Sequence, residues 1–165
     1  MIGIAQLSVK SRVRGEVGLP KHAVPRLRVT LDGAEGDYNH YRASQLGGDR
    51  DQALLVVTLD LLSTLAAEGW PVRPGDLGEN LTLSGVAEDA VGPGVQLQVG
   101  EATLAITKPC DPCTELYTLP YIGDERGPAF LKTTTGRRGR YAKVLVPGEI
   151  TTRSAVSLTP AAAVL

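Results

Sequence analysis

The chain opens on a segment, Ile2 to Val9, that reads as a strand, and from Arg26 to Leu31 its apolar and polar positions alternate. Leu27, Val29 and Leu31 against Arg28 and Thr30 predict a half-exposed strand. From Asp32 to Arg50 the pattern lapses into polar, glycine-containing sequence too long for a tight turn, and loops of that length in a compact domain often carry function. Ala53 to Thr58 is Val-rich and predicts a buried strand. It feeds a helix from about Leu59 to Glu68, with Leu59, Leu62, Leu65 and Ala66 on one face and Gly69 and Pro71 as its stop. Asn80–Leu83, Val95–Val99 and Ala102–Ile106 are further strands, the last two joined by a hairpin through Gly100-Glu101. Thr114 to Leu119 predicts one turn of helix. Tyr141–Val146, a turn at Pro147-Gly148, Glu149–Thr151 and Ala155–Leu158 bring the total to about eight short strands with two or three brief helices. Only one strand–helix–strand unit is visible, which argues against a doubly wound sheet. The expectation is a mostly-β barrel with short helical excursions, as a single domain over residues 1–165.

Composition sharpens this picture. A chain of 165 residues buries roughly 70% of its unfolded surface and needs no staple to fold. Aromatic residues make up 4%, so the core has to be built from Val, Leu, Ile and Ala. Nineteen glycines and eleven prolines favour many turns over a helical bundle. The formal charge of −1 argues against nucleic acid or an anionic membrane as the main partner. No apolar run approaches the roughly 20 residues a membrane span needs. The opening Met1-Ile2-Gly3-Ile4-Ala5-Gln6-Leu7 lacks the layout of a signal peptide, and a cytoplasmic location is the expectation.

The two cysteines, Cys110 and Cys113, lie in Lys108-Pro109-Cys110-Asp111-Pro112-Cys113-Thr114-Glu115-Leu116. A pair this close closes almost no loop, so its use as a staple is small. Each follows a proline, which constrains the backbone that presents the thiol. If Cys113 opens the helical turn beyond it, the helix N-terminus favours a thiolate there. Structural zinc needs four ligands, and His22 and His40 show no ligand-like spacing. A thioredoxin-type pair belongs in a strand–helix context, whereas this one follows a hairpin. Soft-metal or sulfur chemistry is left, with two inert loop thiols as the plain alternative.

Two other segments carry candidate chemistry. Pro74-Gly75-Asp76-Leu77-Gly78-Glu79-Asn80-Leu81-Thr82 suits a loop whose backbone approaches a ligand closely, or else a simple turn before a strand. Lys132, Arg137, Arg138 and Arg140 place four cations within nine residues. They suit a phosphate, held by bidentate arginine contacts, or else form a solvated charged run. Gly47-Gly48-Asp49-Arg50-Asp51 matches no nucleotide-binding loop, and no Ser-His-Asp set stands out.

Taken in order, these segments resemble the MOSC family, named for the C-terminal part of molybdenum-cofactor sulfurase. The matching pieces are Asp32-Gly33 with Gly36-Asp37, Gly48 to Ala53, Gly75 to Leu81, Pro112 to Leu116, and Gly139 to Leu145 with Gly148. The resemblance runs from about Ile2 to Leu158 and implies a β-barrel-like fold. It also implies a molybdenum cofactor (molybdopterin) bound with Cys113 as metal ligand and catalytic thiol, as in enzymes that reduce N-hydroxylated compounds. By motif position Gly78, Glu79 and Asn80 would line the cofactor, and Lys132, Arg137 and Arg138 would hold its phosphate. Cys110 is additional to the family motif and is a candidate to resolve a persulfide or disulfide on Cys113. No desulfurase part accompanies the motif, so sulfur would be brought by a partner cysteine desulfurase and its pyridoxal phosphate. An electron-transfer protein and a small-molecule substrate are the other partners implied. Three functions follow from the resemblance: a molybdenum-dependent oxidoreductase, a sulfur carrier loaded at Cys113, and a non-enzymatic cofactor-delivery or interaction module.

Overall fold

The structure, a computed structural model of the chain, describes residues 1–10, 19–38 and 47–162. Eleven strands are found among them: β1 (Gly3–Val9), β2 (His22–Val24), β3 (Arg26–Thr30), β4 (Gly33–Ala34), β5 (Leu54–Thr58), β6 (Leu81–Ser84), β7 (Gln96–Val99), β8 (Ala102–Pro109), β9 (Arg140–Val146), β10 (Gly148–Thr151) and β11 (Val156–Thr159). Two α-helices accompany them, α1 (Leu59–Ala67) and α2 (Gly123–Thr134). One sheet runs β11-β7-β8-β9-β5-β6-β1-β2 and a smaller one β10-β3-β4. The mostly-β class expected from the strand pattern is therefore what the molecule adopts. The expected barrel is not closed by hydrogen bonds: among the described residues β11 and β2 end the large ladder as free edges.

Alternation decides which side chains meet. Leu27 and Val29 of β3 and Ile150 of β10 turn inward against Leu54, Val56, Leu104 and Val144 of the large sheet, forming one core. β5 is buried along its whole length because the sheet is covered on both faces there, which is why it reads as a continuous apolar run. Its Val57 faces the second core, where Leu61 and Leu65 of α1 meet Phe130 of α2. β5 and β6 are parallel, with Val56 opposite Leu81, and α1 is the crossover between them. This is the single strand–helix–strand unit legible in the sequence. The Thr58 hydroxyl caps α1 by accepting from the Leu61 amide at 3.1 Å. At the other end the amides of Gly69 and Trp70 close on the carbonyls of Ala66 and Leu65.

The hairpin between β7 and β8 forms where predicted, with Val99 paired to Ala102 across Gly100-Glu101. The turn after Cys113 is a 3-10 helix over Thr114–Thr118. Helix α2 was not expected, since Gly127 and Pro128 within it argue against helix locally. Packing overrides propensity. Phe130 is fully buried, its ring centroid 4.8 Å from that of Trp70. A Cβ on Gly127 would lie 2.3 Å from the Tyr117 ring, so the glycine is what lets α2 dock on the turn that carries the cysteine loop.

Candidate functional site

The cysteine loop begins where β8 ends. Pro109 pairs with Arg140, and the Cys110 amide donates to the Gly139 carbonyl at 3.0 Å, so the start of the loop is held by the sheet. Cys110 is 2% exposed. Burial pushes its thiol pKa up, against the opposing pull of Arg138 and the Tyr141 hydroxyl. Burial, followed by the neighbouring Cys110, also raises Tyr141. Cys113 caps the 3-10 turn in an extended conformation, φ −142° and ψ 170°, and its thiol is exposed. One cysteine is enclosed and the other is presented.

Arg138 lies beneath the presented thiol. It is 7% exposed, and its Nη1 donates to Cys113 Sγ at 3.1 Å and to the Asp111 carbonyl at 3.2 Å. Its Nε donates to the Leu77 carbonyl at 3.2 Å. One guanidinium thus ties the Gly75–Asn80 loop, the cysteine loop and the segment before β9 together. Burial works against its charge, and the Cys110 and Cys113 sulfurs outweigh that, so its pKa is raised.

The Gly75–Asn80 loop is a buried polar network. Gly75 has φ +94°, and a Cβ there would stand 2.5 Å from the Lys21 carbonyl oxygen. The Lys21 amide in turn donates to the Gly75 carbonyl, so only glycine admits this approach. Lys21 Nζ forms a 2.7 Å ion pair with Asp37, the two side chains 8% and 9% exposed. Asp37 also accepts from the Lys10 amide at 2.8 Å and from Asn80 Nδ2 at 2.9 Å. Tyr121 donates to Asp76 at 2.8 Å; burial first, then this bond, raises the tyrosine's pKa.

Glu79 is fully buried. Its Oε1 accepts from the Gly75 amide at 2.7 Å and from the Thr82 hydroxyl at 2.9 Å, while Oε2 has no partner among the described residues. Burial raises its pKa above the ordinary carboxyl value, with Asp76 adding to the rise. A raised carboxyl binds its proton more tightly folded than unfolded, so its contribution to stability falls as pH rises from the unfolded value of about 4.3. Glu79→Gln, neutral throughout, is expected to remove that fall. In urea melts between pH 4 and 8 the variant should gain on wild type as pH increases; a constant gap would mean that Glu79 carries its charge in the fold.

A shallow surface depression of about 260 Å³ lies elsewhere, between α1 and Val72–Pro74, and none of the residues around Cys113 line it. The MOSC domain family model matches residues 42–157, more than half of the chain, spanning the Gly75–Asn80 loop, Cys113 and Arg138. The chain belongs to the MOSC domain family. Solved structures agree on the fold. The YuaD protein from Bacillus subtilis superposes with a TM-score of 0.75 at 18% identity over 96% of each chain. YiiM from Geobacillus stearothermophilus gives 0.70 at 24%, over 96% of this chain and 75% of that one. YiiM from Escherichia coli gives 0.68 at 23%, over 100% and 73%. No curated protein matches in a sequence comparison.

Within this MOSC domain the predicted site residues separate. Cys113, Arg138 and Gly78 come together, and a Cβ on Gly78 would lie 3.6 Å from Arg138 Nη2. Cys110 lies within the electrostatic reach of Arg138 but is enclosed. Arg137 points away and spends its charge on Glu68. Lys132 is exposed in the last turn of α2. The Asn80 amide is consumed: Oδ1 accepts from the Leu55 amide, and Nδ2 donates to the Ser8 carbonyl and Asp37. It and Glu79 brace the loop from within rather than face Cys113. His22 lies in β2, and His40 lies outside the described residues. Sequence reasoning missed the Lys21–Asp37 pair, although Asp37 stood within a matched segment.

Proposed function

We propose that this MOSC protein binds the molybdenum cofactor with Cys113 Sγ as a ligand to the metal, in the service of reducing N-hydroxylated compounds. The observation that carries the reading is the exposed thiol of Cys113 held by the buried cation of Arg138. A soft, exposed sulfur suits a soft metal. Among the described residues no three His, Cys, Asp or Glu side chains gather as a metal cage, so one thiol would complete a coordination whose other donors come with the cofactor. The residues fit at the metal end. The phosphate end is less well provided for, since Arg137 is paired with Glu68. When bound, the cofactor would supply the two-electron redox chemistry. The chain's own contribution is to fix Cys113 Sγ through Arg138, to hold the Leu77 carbonyl and Gly78 beside it, and to keep Cys110 out of competition by enclosing it.

Protein produced in a host that makes the cofactor should retain near-stoichiometric molybdenum with a fluorescent pterin on release, and Cys113→Ser should lose the metal. Activity toward an amidoxime or N-hydroxylated base should disappear with it. Metal retained in folded Cys113→Ser would sink the ligand assignment.

A second reading, a persulfide carrier, is favoured by the same exposure of Cys113, which leaves the sulfur open to a partner desulfurase. Cys110 is a poor resolving thiol for it: its sulfur is enclosed, raised in pKa by burial and turned toward the Asp111 carbonyl at 3.6 Å. Intact-mass measurement after incubation with a cysteine desulfurase and cysteine tests this reading, a gain of one sulfur on Cys113 supporting it.

A further inference from the structure

Three arginines stand close together in sequence and meet different fates. Arg137 pairs with Glu68 and Arg140 with Glu88. Arg138, the most buried of the three, has no carboxylate partner among the described residues; it donates to two carbonyls and to the sulfur of Cys113. A guanidinium does not shed its proton in a protein, and a charge taken out of water without a counter-ion is unfavourable. Its surroundings are therefore poised for an anion.

The donor count indicates where that anion would sit. Of the five N–H groups of a guanidinium, Nε spends one on Leu77 and Nη1 spends two, on Asp111 and Cys113. The two on Nη2 are unspent among the described residues. Nη2 is not sealed in either, since among the described residues the buried side-chain polar atoms without partners are Glu79 Oε2 and Arg140 Nε. It stands beside Gly78, where a Cβ would lie 3.6 Å from Nη2 and 3.4 Å from Leu19 Cδ2, so the glycine keeps out a side chain that would crowd this nitrogen. The same planar group thus grips the exposed sulfur with one nitrogen and offers the next to a ligand.

We infer that Arg138 Nη2 is an anion subsite beside Cys113: the molecule that meets this thiol carries a carboxylate or another oxyanion, which Nη2 holds. Arginine gives such a group short, charge-assisted bonds, here through the two Nη2 donors that Leu77, Asp111 and Cys113 leave unspent. The inference concerns the same site as the cofactor reading. A substrate carboxylate and an oxyanion of the cofactor share this chemistry, and iodoacetate and inorganic phosphate probe it without either.

The experiment compares alkylation of Cys113 by iodoacetate and by iodoacetamide on the purified, reduced, cofactor-free chain, with peptide mass spectrometry to separate the two cysteines. Both reagents attack through the same thiolate, so the ratio of their rates cancels its abundance and reports attraction of the carboxylate. N-acetylcysteine supplies the reference ratio. Cys113 is expected to prefer iodoacetate about tenfold over that reference, as a local positive field does for an anionic reactant. Inorganic phosphate should slow iodoacetate more than iodoacetamide. Arg138→Gln should return the ratio to the reference, Arg138→Lys should keep part of the preference, and Arg137→Gln should leave it intact. A wild-type ratio equal to the reference would overturn the inference without any variant, as would a preference that survives in folded Arg138→Gln. Metal analysis decides the cofactor reading separately. A high ratio in protein that never retains molybdenum sinks only that reading, and retained molybdenum with a reference ratio sinks only the anion subsite.

Discussion

Asp37→Ala is expected to lower the unfolding free energy by about 3–5 kcal/mol, the usual result of removing one partner from a buried ion pair. This would be a large share of the roughly 5–15 kcal/mol by which a domain of this kind is stable. The side chains of Asp37 and Lys21 are 9% and 8% exposed, so neither water nor salt replaces the lost partner. The carboxylate also holds the Lys10 amide at 2.8 Å and Asn80 Nδ2 at 2.9 Å. Its removal leaves an ammonium and two N–H donors facing an apolar gap. Guanidinium melts should show a lower midpoint at unchanged slope, because the surface exposed on unfolding is nearly the same. Adding Lys21→Met should recover part of the loss, since a pair replaced by apolar groups is far cheaper than a pair broken. A loss below about 1 kcal/mol would place the pair among ordinary surface ion pairs and remove its role as the clasp of the Gly75–Asn80 loop.

The sequence carried the strand pattern well where one face is buried and the other is not. β3 alternates because Leu27 and Val29 are buried while Arg26 and Arg28 are exposed. β5 does not alternate because both its faces are covered. Helix α2 was hidden because its stability comes from Phe130 against Trp70 and from Gly127 under Tyr117, contacts that no local propensity records. β2 and β4 are short, and pairing with β1 and β3 is what makes them strands. At the site, Cys113 could be picked out because a thiol between a proline and a helical turn is unusual locally. The division among the arginines could not be read, since Arg137 and Arg138 are adjacent and alike in sequence. Only the fold shows that one reaches Glu68 at the end of α1 while the other lies under Cys113. Asp37 escaped for a related reason: its partners, Lys10, Lys21 and Asn80, are up to 43 residues away.

Asn80→Ala separates a bracing role from a cofactor-binding one. The Asn80 side chain accepts from the Leu55 amide at 3.2 Å and donates to the Ser8 carbonyl at 3.2 Å and to Asp37 at 2.9 Å. Its backbone joins the same strands, donating to Leu55 and accepting from Ser8. Truncation leaves buried groups on β1, on β5 and on Asp37 without this partner, at about 1–3 kcal/mol for each that stays unsatisfied. Some can relax toward other partners, so a total loss of about 2–4 kcal/mol is expected. Because Asn80 and Asp37 share a hydrogen bond, the double variant Asn80→Ala with Asp37→Ala should lose less than the two single losses added together. The sign of that coupling is measurable in the same melts. Under conditions where Asn80→Ala is still folded, its molybdenum content should stay close to that of wild type, because the amide is turned into the fold and not toward Cys113. A variant that keeps its stability and loses its metal would reverse the assignment, placing the amide on the cofactor and making the bonds to Leu55, Ser8 and Asp37 incidental.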